Sequence, residues 1–264
     1  MMKKKVKLIT STENPLETVY IAAKTCYTRF SPSHIKIPDN REELVKFVSD
    51  VMRSGHLSVI EHISYTFSIE NVSRALLAQI TRHRIASFSV QSMRYVDMSN
   101  LDDDSFYIPD TISDKVAISK IRSSYEDNLE LYKELQELGV KNEDARMVLP
   151  NASPTNIIMT MNARELIHFF NLRCCNRAQL EIREVANEMR DIVIEKDPGI
   201  FEMFAGPSCV TLGYCPEDHR SCGLVPTLKN LKYMAFQYKD FITEQKKHKE
   251  DILKWQDSSH QLKK

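Results

Sequence analysis

The densest group of chemically useful side chains lies in residues 71–96. This stretch contains no Asp or Glu but carries five basic residues, Arg74, Arg82, His83, Arg84 and Arg94. Arginine can grip phosphate oxygens through two parallel hydrogen bonds. The neutral side chains between these residues add hydrogen-bonding groups for a heterocycle: Gln79, Ser87, Ser89, Gln91 and Ser92. The pattern predicts a local anion site, and its apolar and hydroxyl residues make a nuclear-localisation patch or a solvated basic face the weaker interpretation.

A second anion site is expected at Asn162-Ala163-Arg164, where a β-branched segment gives way to a helical one. Free backbone N–H groups and the helix dipole favour phosphate at such a position. Taken alone, these three residues are better explained as an ordinary helix cap. His168 and Arg173 follow at helical spacing, together with Arg177, and can face the same ligand.

Several classes of protein are excluded by composition. Lys plus Arg and Asp plus Glu both number 36 in 264 residues, so no global field attracts nucleic acid or an anionic membrane. The six glycines are scattered singly, which excludes Rossmann and P-loop nucleotide sites. No apolar run approaches a membrane span or a signal peptide, and six cysteines in so long a chain suggest reduced thiols. We therefore expect a cytoplasmic protein.

The elements that must position these groups are readable from periodicity. Helices are predicted over 15–27, 40–54, 73–83 and 114–138, one long helix over 163–196, and strands over 62–70 and 155–161. From residue 205 the composition shifts to Gly, Pro and Cys, and a charged helix is expected over 226–255. The predicted organisation is an α+β domain over 1–204 and a Cys-containing, partly helical extension over 205–264.

The motif Arg82-His83-Arg84, followed after seven residues by Ser92, resembles the R-H-R-x7-S signature of the flavin-dependent thymidylate synthases. Other segments resemble this family in the same order: Gly55-His56-Leu57-Ser58, Glu61-His62, Gln79, Arg94-Tyr95, the run from Ala145-Arg146 to Leu149-Pro150, Asn162-Ala163-Arg164-Glu165-Leu166, Asn171-Leu172-Arg173, and Ala178-Gln179-Leu180-Glu181-Ile182. The resemblance covers about residues 5–204.

The resemblance implies an α+β fold with a central mixed or antiparallel sheet flanked by helices, and a homotetramer with active sites shared between subunits. It implies that FAD contacts Ser58, Arg82, His83, Arg84, Asn162, Arg164 and His168. For dUMP it implies Gln79, Arg82, Gln91, Ser92, Arg94, Arg146 and Arg173. His56 is expected to line the pocket near the flavin and folate.

The implied reaction is reductive methylation of dUMP to dTMP, with FAD as cofactor and 5,10-methylenetetrahydrofolate and NADPH as cosubstrates. Arg173 would favour ionisation at N3 of uracil, which raises the electron density of the ring. A Pro-Cys pair that could supply the nucleophile of the folate-only thymidylate synthase is absent from the sequence. Ser92 has no evident His–carboxylate relay, so we expect it to bind dUMP rather than act as a nucleophile.

Three positions depart from the commoner pattern of the family: Val90, Met93 and Arg177. They put local contacts in doubt, but not the reaction. In the extension, four residues have ligand chemistry suited to zinc: Cys209, Cys215, His219 and Cys222. Because they lack a Cys-x2-Cys knuckle, free thiols in an ordered loop are the favoured interpretation.

Two rival functions remain open from the residues alone. A nucleotide- or RNA-binding module built on Arg82–Arg94 would need a wider basic surface than zero net charge suggests. A metal-dependent hydrolase would draw on His56, His62 and His83, whose spacing matches no familiar ligand motif.

Overall fold

Four antiparallel strands form the central sheet in the computed structural model, which describes residues 4–240 together with 243, 244 and 247. The strands are β1 (Lys5–Ser11), β2 (Ser64–Ser73), β3 (Ala86–Val90) and β4 (Pro154–Asn162). Their order is β1-β2-β4-β3, so the short β3 lies at one edge and pairs only with β4 in the sheet. The expected α+β class is confirmed, with antiparallel pairing throughout the sheet.

The sheet packs on helices through one face only. Tyr65, Phe67 and Ile69 alternate along β2 and are fully buried, as the period of a strand requires. The helices are α1 (Pro15–Thr25), α2 (Arg41–Arg53), α3 (Arg74–Ile80), α4 (Lys115–Glu137), α5 (Asn142–Ala145), α6 (Ala163–Arg173), α7 (Leu180–Lys196), α8 (Pro198–Phe201) and α9 (Ser208–Leu212). Phe169 and Phe170 of α6 join β2 in the main core. This packing fixes where α6 begins relative to the strands.

The opposite face of the sheet carries small and polar side chains. Ser87 and Ser89 of β3 and Asn156 of β4 are exposed, and Ile158 is 38% exposed. A hydroxyl contact of 2.9 Å joins Thr66 to Thr160 across this face. Within the described part of the chain the face is open.

A second, smaller core holds the segment that follows β3. Met93 and Met98 pack with Phe106 and with Leu129 and Tyr132 of α4. Burial of Met93, which is 4% exposed, shows that this departure from the family pattern is a packing position. This core anchors the chain on both sides of Arg94.

The chain divides into two compact units, Met1–Pro207 and Ser208–Lys264. In the second unit residues 228–240 are helical, and the remainder of the predicted helix to residue 255 lies largely outside the described residues. Among the described residues, no helix is both long and apolar enough to cross a membrane.

Most helices predicted from periodicity are confirmed, but one is wrong. The expected single helix over 163–196 breaks after Arg173 and resumes at Leu180, where the Gln179 side chain accepts a hydrogen bond from the Ile182 N–H at 3.3 Å. The break places Arg173 in the last turn of α6. Strands β1 and β3 were not predicted, because edge strands carry a weaker alternation of apolar residues.

Ser73 joins α3 to a buried carboxylate of α7. Its Oγ accepts from the Leu76 N–H at 3.0 Å and caps α3, while its own N–H and O–H donate to Glu181 at 2.7 and 2.5 Å. Burial raises the pKa of the Glu181 carboxyl, whereas these two hydrogen bonds lower it. The contact fixes the start of the helix that leads to Arg82.

Ser73→Ala should lower the free energy of unfolding by about 2–4 kcal/mol, because it removes a helix cap and leaves a buried carboxylate short of a donor. Urea denaturation measures this change. Asn40→Ala is the matched control, since Asn40 caps α2 at an exposed position by accepting from the Glu42 N–H. Its loss should be about 1 kcal/mol. Equal losses in the two variants would contradict the role given to Glu181.

Candidate functional site

Strand β3 lies within the basic segment, residues 71–96, and separates its two ends. Arg82, His83 and Arg84 form the turn between α3 and β3, whereas Gln91 to Arg94 follow β3. Five residues of extended strand separate these ends by about 16 Å at roughly 3.3 Å per residue. The predicted single anion site is therefore two clusters within one chain.

The first cluster, here called the Arg173 cluster, contains Gln79, His83, Glu165, His168 and Arg173. The Arg173 Nε–H donates to His83 Nε2 at 3.2 Å, and its Nη2 donates to the Gln79 carbonyl at 3.0 Å. His83 Nδ1 lies 2.9 Å from Glu165 Oε1. One chain of hydrogen bonds thus links Gln79, near the end of α3, to Arg173 and Glu165 at the two ends of α6.

His83 is the buried centre of this cluster, with 4% of its surface exposed. Burial lowers its pKa, the hydrogen bond to Glu165 opposes that shift, and the charge of Arg173 adds to it. Burial also lowers the pKa of Arg173, helped by the charge of Arg82. The result is a neutral imidazole beside a desolvated guanidinium, where an anionic ligand would be strongly attracted.

His83, Glu165 and His168 also have the geometry of a metal-ligand group, with their ligand atoms within 4.8 Å of one another. A metal bound through His83 would have to displace either the Arg173 Nε–H or Glu165, since both ring nitrogens are bonded. The adjacent arginine charge further disfavours a cation. His56 and His62, which the hydrolase hypothesis required, do not belong to this group of described residues.

A cavity of about 490 Å³ opens at the start of α6. Asn162, Arg164 and His168 line it, and the Asn162 side chain caps the helix by accepting from the Glu165 N–H at 2.9 Å. Arg164 pairs with Glu61 at 2.5 Å. Three residues predicted for flavin binding therefore share one cavity, where a helix N-terminus and an arginine favour a diphosphate.

Two further residues predicted to bind flavin are sequence neighbours of residues that line this cavity. Ser58 and Arg84 are exposed and adjoin Leu57 and Ile85, which line it. His56 is exposed and precedes Leu57. The short 3₁₀ helix Leu57–His62 and the turn before β3 thus supply the neighbouring walls.

The second cluster, here called the Arg94 cluster, contains Gln91, Ser92, Arg94, Glu143 and Arg146. Arg94 pairs with Glu143 at 2.5 Å, and the Arg146 Nε–H donates to the Glu143 carbonyl at 2.9 Å. The Ser92 hydroxyl accepts from the Arg94 N–H at 3.2 Å. Two of the residues predicted to bind dUMP, Arg94 and Arg146, therefore meet at Glu143 of α5, and Gln91 and Ser92 precede Arg94 in the chain.

Arg74, which the sequence placed in the predicted anion site but assigned to neither FAD nor dUMP, lies beside this cluster. Its Nη2 donates to the Gln91 carbonyl at 2.9 Å, and its buried Nε has no hydrogen-bond partner among the residues that the structure describes. Burial lowers the pKa of Arg74, and the charge of Arg146 adds to the shift. Arg74 and Arg146 together favour an anion here, and the clue in the sequence was a basic residue in a segment without acids.

The four residues of the extension with ligand chemistry suited to zinc do not converge in the described part of the second unit. No three of Cys209, Cys215, His219 and Cys222 have ligand atoms within 4.8 Å of one another among the described residues. Cys215 is buried, and its N–H donates to the Pro226 carbonyl at 2.8 Å, whereas Cys222 is exposed. The zinc hypothesis gains no geometric support.

Residues 7–199 match the family model Thy1, described as thymidylate synthase complementing protein. The chain belongs to this family. Flavin-dependent thymidylate synthase from Geobacter sulfurreducens is 44% identical over 233 residues, which cover 86% of this chain and 97% of that relative. The enzyme of the same name from Pyrococcus furiosus is 43% identical over 221 residues, covering 81% and 89%.

A solved structure supports the fold of the Thy1 chain. The UMP/dUMP methylase PolB from Streptomyces cacaoi, bound with 5-Br dUMP, superposes with a TM-score of 0.67 at 26% identity. The match covers 76% of this chain and 94% of that protein.

Lowering the pH below about 6.5 should destabilise the protein through His83. The unfolded histidine has a pKa near 6.5, whereas burial holds the folded pKa lower, so the unfolded chain binds a proton that the folded chain excludes. The stabilising contribution is fully present above the unfolded pKa and is lost as the pH falls through the folded one. Glu165, His168 and Arg173 are the ionisable groups that face the ring.

Thermal midpoints measured between pH 7.5 and 5 test this expectation. His83→Gln lacks the titrating group, so its midpoint should fall less over the same interval. Identical pH dependence in the two proteins would show that His83 does not carry the effect.

Proposed function

We propose that this Thy1 chain is a flavin-dependent thymidylate synthase that methylates dUMP to dTMP. FAD is the cofactor, 5,10-methylenetetrahydrofolate is the carbon donor and NADPH is the reductant. Family membership over residues 7–199 supports this proposal, as does the likeness to a UMP/dUMP methylase. The observation that carries it is the Arg173 cluster, where a guanidinium is held beside a buried neutral histidine.

The cavity at α6 has the donor groups that FAD requires. We assign seven residues to FAD: Ser58, Arg82, His83, Arg84, Asn162, Arg164 and His168. Arg164 and the N-terminus of α6 suit the diphosphate, which carries negative charge. Because both ring nitrogens of His83 already have partners, its contribution is to hold the wall of the site.

The dUMP site is assigned to both clusters. Its residues are Gln79, Arg82, Gln91, Ser92, Arg94, Arg146 and Arg173. Arg94 and Arg146 supply cations for the phosphate, and Arg173 supplies donors for the uracil. His56 is assigned to the pocket shared by flavin and folate.

The residues of this chain orient the pyrimidine and shift its charge. Arg173 donates towards N3 and O4 of uracil and stabilises the negative charge left when N3 loses its proton, which makes C5 a better nucleophile. Burial strengthens this interaction, since the effective dielectric is lower than in water. Reduced FAD supplies hydride and the folate supplies the one-carbon unit when they are bound.

Ser92 acts as a binding group in this scheme. Its hydroxyl accepts from the Arg94 N–H, and no His–carboxylate pair is described beside it. A serine without a base is a weak nucleophile at neutral pH.

The active enzyme is proposed to be a homotetramer whose sites combine residues of different subunits. About 16 Å of strand separates the Arg173 and Arg94 clusters within one chain, so a second copy can bring the complementary cluster closer. The open face of the sheet offers a surface for such assembly. We place the synthase domain at 1–204, the extension at 205–264, and the enzyme in the cytoplasm.

Arg173→Lys should lower kcat for dTMP formation about 100-fold, because a lysine cannot bond His83, Gln79 and the uracil together. The assay is anaerobic, with FAD, dUMP, methylenetetrahydrofolate and NADPH, and product is measured by chromatography. Arg183→Lys is the control, since Arg183 also donates to a backbone carbonyl, that of Asn176. A fully active Arg173→Lys enzyme would remove Arg173 from the chemistry.

Mixing two inactive variants tests the sharing of sites. Arg82→Ala and Arg94→Ala should each abolish most activity alone. Co-refolded hybrids should recover part of it, because some sites then receive an intact Arg82 from one chain and an intact Arg94 from another. Absence of recovery, with hybrid tetramers demonstrated by mass spectrometry, would place each site within one chain.

A further inference from the structure

Glu165 is a buried carboxylate for which the proposed reaction has no direct use. It lies in the first turn of α6 and is 8% exposed. Its Oε1 lies 2.9 Å from His83 Nδ1, and its backbone N–H donates to the Asn162 side chain. Burying a carboxylate is unfavourable unless hydrogen bonds compensate for its lost hydration. The hydrogen bond with His83 therefore needs a structural or functional explanation.

The bonding pattern around His83 determines where its proton lies. Arginine has only hydrogen-bond donors, so the Arg173 Nε–H requires an acceptor at His83 Nε2. A neutral imidazole that accepts at Nε2 carries its proton on Nδ1. The Nδ1–H faces Glu165 Oε1 and donates a hydrogen bond to the carboxylate.

We infer that Glu165 is a positioning residue, whose carboxylate holds His83 in the tautomer that accepts from Arg173 and so aims the Arg173 guanidinium at the uracil. This inference rests on the proposed role of Arg173. A carboxylate fixes the tautomer and orientation of a histidine in the same way in Ser-His-Asp hydrolases.

Two fixed points orient the plane of the guanidinium. His83 holds Nε and the Gln79 carbonyl holds Nη2, at 3.2 and 3.0 Å. No hydrogen bond from Nη1 to a protein acceptor is found among the described residues, which leaves this edge for a ligand. With the proton on Nε2 instead, two N–H groups would face each other and Arg173 would have to turn away.

Apart from Glu165, the described groups that face the His83 ring are aromatic or basic. The ring packs edge-on against Phe169, with centroids 5.0 Å apart, and against His168 at 5.7 Å. Glu165 is the acidic group that faces the ring, whereas Arg173 and His168 disfavour its protonation. Glu165 at Nδ1 and Arg173 at Nε2 therefore favour the same tautomer, with the proton on Nδ1.

Glu165→Gln tests the inference, because an amide can either accept from or donate to Nδ1 and no longer selects one tautomer. We expect kcat for dTMP formation to fall about 10- to 100-fold, with a smaller change in KM for dUMP. Glu165→Asp, which keeps the carboxylate, should recover part of kcat. Glu181→Gln is the control for a buried glutamate outside the site and should retain the kcat of the wild type.

The tautomer can be measured directly in the unaltered protein, even where Glu165→Gln does not fold. In ¹⁵N-histidine NMR, His83 is assigned by the loss of its signals in His83→Gln, and it should carry its proton on Nδ1. A proton on Nε2 in the wild type would overturn the inference, as would wild-type kcat in Glu165→Gln. If the wild type forms no dTMP, the proposed function fails, and the tautomer still decides whether Glu165 positions Arg173.

Discussion

The hydrogen-bond chain from Glu165 through His83 to Arg173 is the interaction on which the proposed site depends. An arginine that must act on a neutral heterocycle needs a fixed direction, and its long side chain has many rotamers. Here the buried imidazole of His83 accepts a hydrogen bond from its Nε–H, and the backbone carbonyl of Gln79, near the end of α3, accepts one from Nη2. Because these groups come from α3, the following turn and α6, the packing of both helices on the sheet determines the geometry of the chemistry.

A second constraint is the position of β3 at the edge of the sheet. The strand separates a turn rich in arginine from a second basic cluster, and neither cluster alone provides all the groups that a nucleotide phosphate and a pyrimidine require. Carboxylates accompany both the α6 cavity and the Arg94 cluster: Glu61 pairs with Arg164, and Glu143 pairs with Arg94. This arrangement favours a discrete small-molecule site over a continuous basic surface for RNA.

Much of the fold was predictable because its central elements have strong periodicity. The periodicity of β2, α2 and α4 indicated the observed elements. The short β3 could not be predicted from a five-residue segment that is only partly buried. The break after Arg173 was also missed, because the apolar pattern resumes in α7 with little change of composition.

The site was predictable as a set of residues, but not as a network. Motif spacing identified Arg82, His83 and Arg173, whereas the roles of Glu165 and Arg74 depend on contacts between distant segments. The sequence also suggested that His83 presents a polar atom to a ligand. Its two ring nitrogens bond other side chains, Glu165 and Arg173, and its contact with FAD stays a proposal.

The central claim is that Arg173, held in place by His83, promotes ionisation of the pyrimidine. NMR of dUMP labelled with ¹⁵N at N3 and bound to the flavin-loaded enzyme measures this directly across a pH titration. The account predicts an N3 pKa well below that of free dUMP in the wild type, and a value near that of free dUMP in Arg173→Lys. An N3 pKa unchanged on binding to the wild-type enzyme would contradict it.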